Sequence, residues 1–239
     1  MDLILIHGFP LDRRTWEAQV AGLAGRGRVL APDLPGFGTA PLPSPAPASM
    51  DDYARAVLAF LDSRGVTRFA AAGHSMGGYI LFALHRLAPE RLVGAVLVST
   101  RAKADADEGR RAREETAQRA LREGAAFLSD SMPARVAAPG APAGLLDRLR
   151  AIMREANGPG VAAASRAMAA RPDATAQLAT LACPTVVLAG RHDQIVPAAE
   201  SEAMARVIPG ARLVWCEKSG HMPMMEEPAL VTDALASIL

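Results

Sequence analysis

Phe69-Ala70-Ala71-Ala72-Gly73-His74-Ser75-Met76-Gly77-Gly78, running on into Tyr79-Ile80-Leu81-Phe82-Ala83-Leu84-His85, is the stretch on which the fold of this chain turns. A short apolar run ends at a glycine, a serine follows two residues later, and small residues then open a helical pattern. Strand, tight turn and helix in that order make a G-x-S-x-G nucleophile elbow, in which the turn lifts a serine hydroxyl above a sheet edge. Gly73 and Gly77 have a mechanical reason: they flank a serine in a strained conformation, and a Cβ at either place would collide with the opposing strand or helix. In a chain with 20 glycines the pentapeptide alone is a weak signal. The reading therefore rests on its context and on partners elsewhere.

Outward from the elbow, other apolar runs end in turn residues. Leu3–Ile6 stops at His7-Gly8-Phe9-Pro10, and Arg28–Ala31 stops at Pro32-Asp33-Leu34-Pro35-Gly36-Phe37-Gly38. Continuous apolar runs of this length fit strands buried on both faces of a parallel sheet. Between them lies a helical pattern, Arg13 to Ala24, with Trp16, Val20 and Leu23 on one face. Ser49 caps a second helix through Tyr53, Val57, Phe60 and Leu61, and Val93–Ser99 is a fourth strand. The alternation predicts a doubly wound α/β sheet. It breaks after Thr100. Residues 101–181 hold no strand run and read as helices near Asp105–Glu123, Ala125–Ser131, Ala143–Ala156 and Gly160–Ala170. The pattern then resumes with strands at Thr185–Gly190 and Ala211–Cys216 and helices at Ala198–Val207 and Pro228–Leu239. The expected organisation is one core, 1–100 with 182–239, and an inserted helical lid, 101–181.

A chain of 239 residues, half of them apolar, can bury a substantial core. Its net charge of +1 gives no argument for nucleic acid or an anionic membrane surface as partner. Cys183 and Cys216 show neither metal-ligand spacing nor a disulfide framework and are expected as free thiols. The opening Met1-Asp2-Leu3-Ile4-Leu5-Ile6 is too short for a signal-peptide core, and no run reaches transmembrane length. A cytoplasmic protein is expected.

A serine nucleophile needs a base to take its proton, and the base needs a group that fixes its tautomer. Past the fifth strand, Gly190-Arg191-His192-Asp193 places Asp193 in a loop; past the last, Lys218-Ser219-Gly220-His221 places His221 in another. Parallel strands gather such loops at one edge of the sheet. Asp193 as a helix cap and His221 as an ordinary loop residue are the bland readings, and the shared order with Ser75 weighs against both. His74 and His192 each neighbour a candidate in sequence, so their side chains are expected to point elsewhere. His7 is expected to order the first loop. The oxyanion of acyl transfer needs preorganised donors, worth about 3 kcal/mol each. The N–H of Met76, just after the serine, and that of Phe9 are the candidates. Phe9, Met76, Phe127, Met132, Met153 and Met222 are candidate substrate-pocket residues, methionine suiting an adaptable apolar pocket.

His7-Gly8-Phe9-Pro10, Asp33-Leu34-Pro35-Gly36-Phe37-Gly38, Gly73-His74-Ser75-Met76-Gly77-Gly78, Gly190 to Pro197, and Gly220-His221 with Glu226 and Pro228 resemble, in that order, the motifs of lid-bearing serine hydrolases of the α/β-hydrolase superfamily. Small carboxylesterases and 3-oxoadipate enol-lactonase-like enzymes are the subgroup it looks most like. The resemblance implies an α/β-hydrolase fold with two family N-terminal strands apparently missing, hence a mostly parallel sheet of six strands ordered 2-1-3-4-5-6. The exposed edge that results would favour a homodimer, with a monomer as the alternative. Serine at the elbow, where dehalogenases and epoxide hydrolases carry aspartate, argues against those branches. The implied activity is hydrolysis of a small carboxylic ester or lactone, with no metal or organic cofactor. An enol-lactonase or C–C bond hydrolase of aromatic catabolism is an alternative, and so is a hydrolase-like ligand receptor with slow turnover.

Overall fold

The computed structural model describes residues 1–239. Six strands, β1 Asp2–Ile6, β2 Arg28–Leu30, β3 Phe69–His74, β4 Leu92–Val98, β5 Thr185–Gly190 and β6 Arg212–Cys216, form one sheet ordered β2-β1-β3-β4-β5-β6. Every neighbouring pair is parallel. The expected order is therefore the observed one. Ten helices accompany the strands: α1 Glu17–Gly22, α2 Met50–Asp62, α3 Met76–Leu87, α4 Asp107–Glu123, α5 Leu128–Val136, α6 Ala143–Arg154, α7 Gly158–Ala169, α8 Ala198–Val207, α9 Pro223–Glu226 and α10 Pro228–Ala236.

The apolar runs sort themselves by strand alternation. Ile4, Ile6, Phe69, Ala71, Ala95, Leu97 and Val187 face one core cluster, roofed by α2, α3 and α7. Leu3, Leu5, Ala70, Ala72, Val96, Val98, Val186 and Leu188 face the other, closed by Trp16, Leu149, Met153, Val231 and Leu235. Because both faces are covered, the central strands read as unbroken apolar runs. Ser49 caps α2 in a reciprocal capping box with Asp52.

Three expectations shift. The first helix begins as a 3-10 turn, Arg13–Trp16, before α1. That tighter winding changes the phase of the helix: Gln19 is buried, bonding through its Nε2–H to the Met224 carbonyl, whereas Val20 is 39% exposed. The helix expected near Ala125–Ser131 runs instead from Leu128 to Val136, with Pro133 inside it. The last helix, α10, runs from Pro228 to Ala236 as expected, and a short helix that was not expected, α9, precedes it at Pro223–Glu226. From Arg101 to Leu181 the chain is helix and turn without a strand. No helix is long and apolar enough to cross a membrane. Cys183 and Cys216 are free thiols, and burial raises the pKa of Cys216 to about 12.

Candidate active site

Strand β3 ends at His74, helix α3 begins at Met76, and Ser75 makes the turn between them with φ 51° and ψ −111°. A non-glycine residue there stores about 1–3 kcal/mol of strain and persists only where its surroundings hold it. They do. The Ser75 N–H donates to the Val98 carbonyl (2.9 Å), and its own carbonyl accepts from the Thr100 hydroxyl (2.8 Å) and the Gly78 N–H (2.9 Å). The flanking glycines meet the collisions expected of them. A Cβ on Gly73 would lie 2.3 Å from the Gly77 carbonyl oxygen, and one on Gly77 would lie 2.3 Å from the Ile6 carbonyl oxygen.

His221 sits in the loop after β6. Its Nδ1–H donates to Asp193 Oδ2 (2.8 Å), leaving Nε2 as the basic nitrogen. Asp193 Oδ1 is occupied as well, accepting from the N–H groups of Ile195 (2.8 Å) and Val196 (3.0 Å). Asp193 thus both shapes its own turn and holds the imidazole. Burial alone would raise its pKa, but the facing His221 and the two amides outweigh burial and hold it below the usual carboxylate range. The loops are zipped together by His192 N–H to Ser219 O (2.9 Å). Asp33 is engaged elsewhere, accepting from the N–H groups of Arg13 and Thr39.

His74 departs from expectation. Its ring packs 4.9 Å from that of His221, centroid to centroid, and its Nε2–H donates to the His221 carbonyl (2.8 Å). Burial, and then the neighbouring His221, lower its pKa to about 3, so it packs against His221 as a neutral ring. His7 orders the first loop: its Nδ1–H donates to Gly8 O (3.0 Å), and its Nε2 accepts from the Leu34 N–H (2.9 Å). Both ring nitrogens are thereby spent, and burial lowers the pKa of His7.

Glu226, on α9, ties this loop to the helical segment. Its Oε1 accepts from the Ala138 N–H (2.7 Å), while Oε2 accepts from Gly220 (2.8 Å) and Met222 (3.2 Å). Beside it the His221 N–H donates to the Val136 carbonyl (2.7 Å).

Ser75 and His221 line one cavity of about 70 Å³ together with Phe9, Tyr79, Met132 and Met168. Its wall also contains Arg101, Arg113, Val136, Ile195 and Val196. The Phe9 ring stands edge-on to Phe37 at 6.4 Å. Phe9 lines the cavity together with Ser75, and the N–H of Met76, as the first residue of α3, has no acceptor within its own helix.

The pocket expectation needs correction. The side chains of Met76, Met153 and Met222 are fully buried in the two core clusters and line no part of the cavity. A flexible thioether fills core gaps as readily as it lines a pocket, so sequence does not separate the two. Phe127 borders an outer chamber instead. Tyr79 was missed, though it lies one helical turn beyond Ser75, a spacing that puts both on one face. Arg101, in the segment between β4 and α4, and Arg113, one of several arginines on α4, carry no sequence signal that marks them as facing inward. No group of three or more His, Cys, Asp or Glu side chains is placed to hold a metal ion.

Residues 3–234 match the family model described as the alpha/beta hydrolase family. An esterase from Thermogutta terrifontis, solved with malate bound, superposes with a TM-score of 0.94 at 38% identity, over 99% of this chain and 88% of that one. The enol-lactonase from Burkholderia xenovorans superposes with a TM-score of 0.89 at 25% identity, over 99% and 90% of the two chains. The pimeloyl-(acyl-carrier protein) methyl ester esterase of Aeromonas hydrophila is 30% identical over 95% of this chain and 91% of its own. A six-stranded parallel sheet, a serine elbow past β3 and a family match across nearly the whole sequence agree: this chain is a hydrolase of the alpha/beta hydrolase family.

Proposed function

We propose that the protein is a serine hydrolase of small carboxylic esters or lactones, acting through an acyl-enzyme on Ser75. The observation that carries the reading is the strained Ser75 turn opening into a cavity shared with His221, whose Nδ1 is held by Asp193 at 2.8 Å. In this reading Nε2 of His221 takes the Ser75 proton as Oγ attacks the carbonyl carbon. The Phe9 and Met76 N–H groups hold the oxyanion, and Asp193 stabilises the imidazolium. His221 then protonates the leaving alcohol, and the same base activates water to hydrolyse the acyl-enzyme. Helices α4–α7 serve as a lid over the cavity. The esterase and lactonase neighbours support the substrate class. The cytoplasmic location and the monomer or homodimer state read from the sequence belong to the same proposal, and sedimentation of the purified protein decides the second.

The test is steady-state hydrolysis of p-nitrophenyl esters of graded acyl length by the wild type and by Ser75→Ala. Turnover that is lost in a Ser75→Ala variant of unchanged circular dichroism supports the reading. Substantial residual turnover in that variant removes Ser75 as nucleophile.

A further inference from the structure

The Ser75 cavity does not end at its own walls. Phe9, Arg101, Arg113, Met132 and Ile195 also line an outer chamber of about 450 Å³ between α4, α5 and the loop after β5. The two spaces therefore adjoin across five shared wall residues, with Ser75 lining the inner one. The outer chamber is basic: Arg101, Arg113, Arg119 and Arg135 line it, against the single acid Asp105.

The charges do not cancel. Asp105 is buried, and its carboxylate is taken bidentately by Arg171, with both N···O distances 2.8 Å. Arg171 faces away from the chamber: it is buried, stacks on Tyr79 at 4.1 Å and bonds the Met168 and Lys103 carbonyls. The same carboxylate must also serve Arg101 and Arg113, the latter through Nε at 3.0 Å. One negative charge thus faces three positive ones, two of them on guanidiniums that line the cavity. Arg101 Nε is buried without a hydrogen-bond partner. Arg119 is matched outside by Glu123 (2.9 Å), whereas no carboxylate lies within ion-pair distance of Arg135. The Oγ of fully buried Ser165, which also borders the chamber, has no partner either.

A network whose only task was to bind α4 to the 101–105 turn would need one arginine for its one carboxylate. Surplus guanidinium charge in a partly closed cavity is stabilised by a bound anion, and the arginine fork matches a carboxylate in shape as well as charge. From this cluster we infer that the enzyme acts on esters or lactones that carry a free carboxylate away from the scissile carbonyl, held by Arg101 and Arg113 with Arg135 at the rim. The inference rests on the serine-hydrolase reading of the inner cavity. For a half-ester, water adds across the acyl C–O bond, releasing the alcohol and leaving a second carboxylate with the proton lost to solvent.

The experiment compares two probes of matched length, the mono-p-nitrophenyl ester of glutaric acid and p-nitrophenyl pentanoate, on wild type, Arg113→Gln, Arg135→Gln and Ser75→Ala. Wild type should favour the charged ester by about tenfold or more in kcat/KM, through KM, with the preference shrinking as sodium chloride is raised. Each arginine variant should lower that ratio. Arg135 is exposed and without an ion pair, so its variant keeps the test open should Arg113→Gln fail to fold. Free glutarate should compete with the neutral ester on wild type. A wild-type ratio near one, or an undiminished preference in both arginine variants, overturns the carboxylate assignment while leaving Ser75-dependent hydrolysis standing. Turnover that survives in Ser75→Ala would instead overturn the serine-hydrolase reading beneath it.

Discussion

Asp193→Asn is the substitution whose consequence follows most directly from the hydrogen bonds. Asp193 Oδ1 accepts two backbone N–H groups, from Ile195 and Val196, at 2.8 and 3.0 Å. An asparagine must keep its carbonyl oxygen there, because its NH2 would face two donors. The NH2 then stands where Oδ2 was, facing His221 Nδ1. It can only donate, so Nδ1 becomes an acceptor and the ring proton moves to Nε2, the nitrogen that must accept from Ser75. The fold is expected to survive, since both backbone bonds remain, while the base is held in the wrong tautomer. The loss expected in kcat is about 10⁴-fold, or about 5.5 kcal/mol of barrier. Ester hydrolysis followed with a chromogenic substrate, beside a denaturation curve, measures both quantities. A variant within tenfold of wild type would refute the assignment of Asp193 as the orienting acid.

Other consequences are as specific. Ser75→Gly should abolish turnover yet raise unfolding stability by about 1 kcal/mol, because glycine accepts a positive φ at little cost; urea denaturation reads this. Gly77→Ala should destabilise by at least about 1–3 kcal/mol and misplace the elbow, its Cβ meeting the Ile6 carbonyl; activity should fall more than stability does. Burial would raise the pKa of Asp105, but Arg171 and then Arg113 outweigh burial and hold it well below the usual range. A depressed carboxylate contributes stability that is complete above its unfolded pKa, about 3.9, and is lost as pH falls towards its folded value. Asp105→Asn, which strands three arginines, should therefore cost about 3–5 kcal/mol near neutrality and flatten the acid limb of stability against pH.

How far the sequence reached depends on what each feature needs. The strands were legible because unbroken apolar runs such as Leu3–Ile6 and Thr185–Gly190 mark strands buried on both faces, whereas their order came from the family resemblance. The positions of Ser75, Asp193 and His221 were legible because each follows a strand, and strand ends of a parallel sheet converge. Side-chain direction was another matter. Met153 is core and Met132 is cavity wall, although they lie on neighbouring helices. His74 lines no part of the Ser75 cavity, in keeping with its place next to Ser75 in sequence, but its ring packs against His221 from the loop after β6, a contact that only tertiary structure makes. Arg113 is one of several arginines on α4, and its partner Asp105 lies outside the helix; only tertiary placement sets it apart.

Glu226 gives the molecule an interlock. One carboxylate grips the start of the α5–α6 connection at Ala138 and the shoulders of the base at Gly220 and Met222, and the His221 N–H is itself fastened to Val136. An outward swing of α5 would therefore break these hydrogen bonds or carry the His221 loop with it. In the proposed reading, roof and proton acceptor are therefore set by the same hydrogen bonds, so that raising the one takes the other out of line.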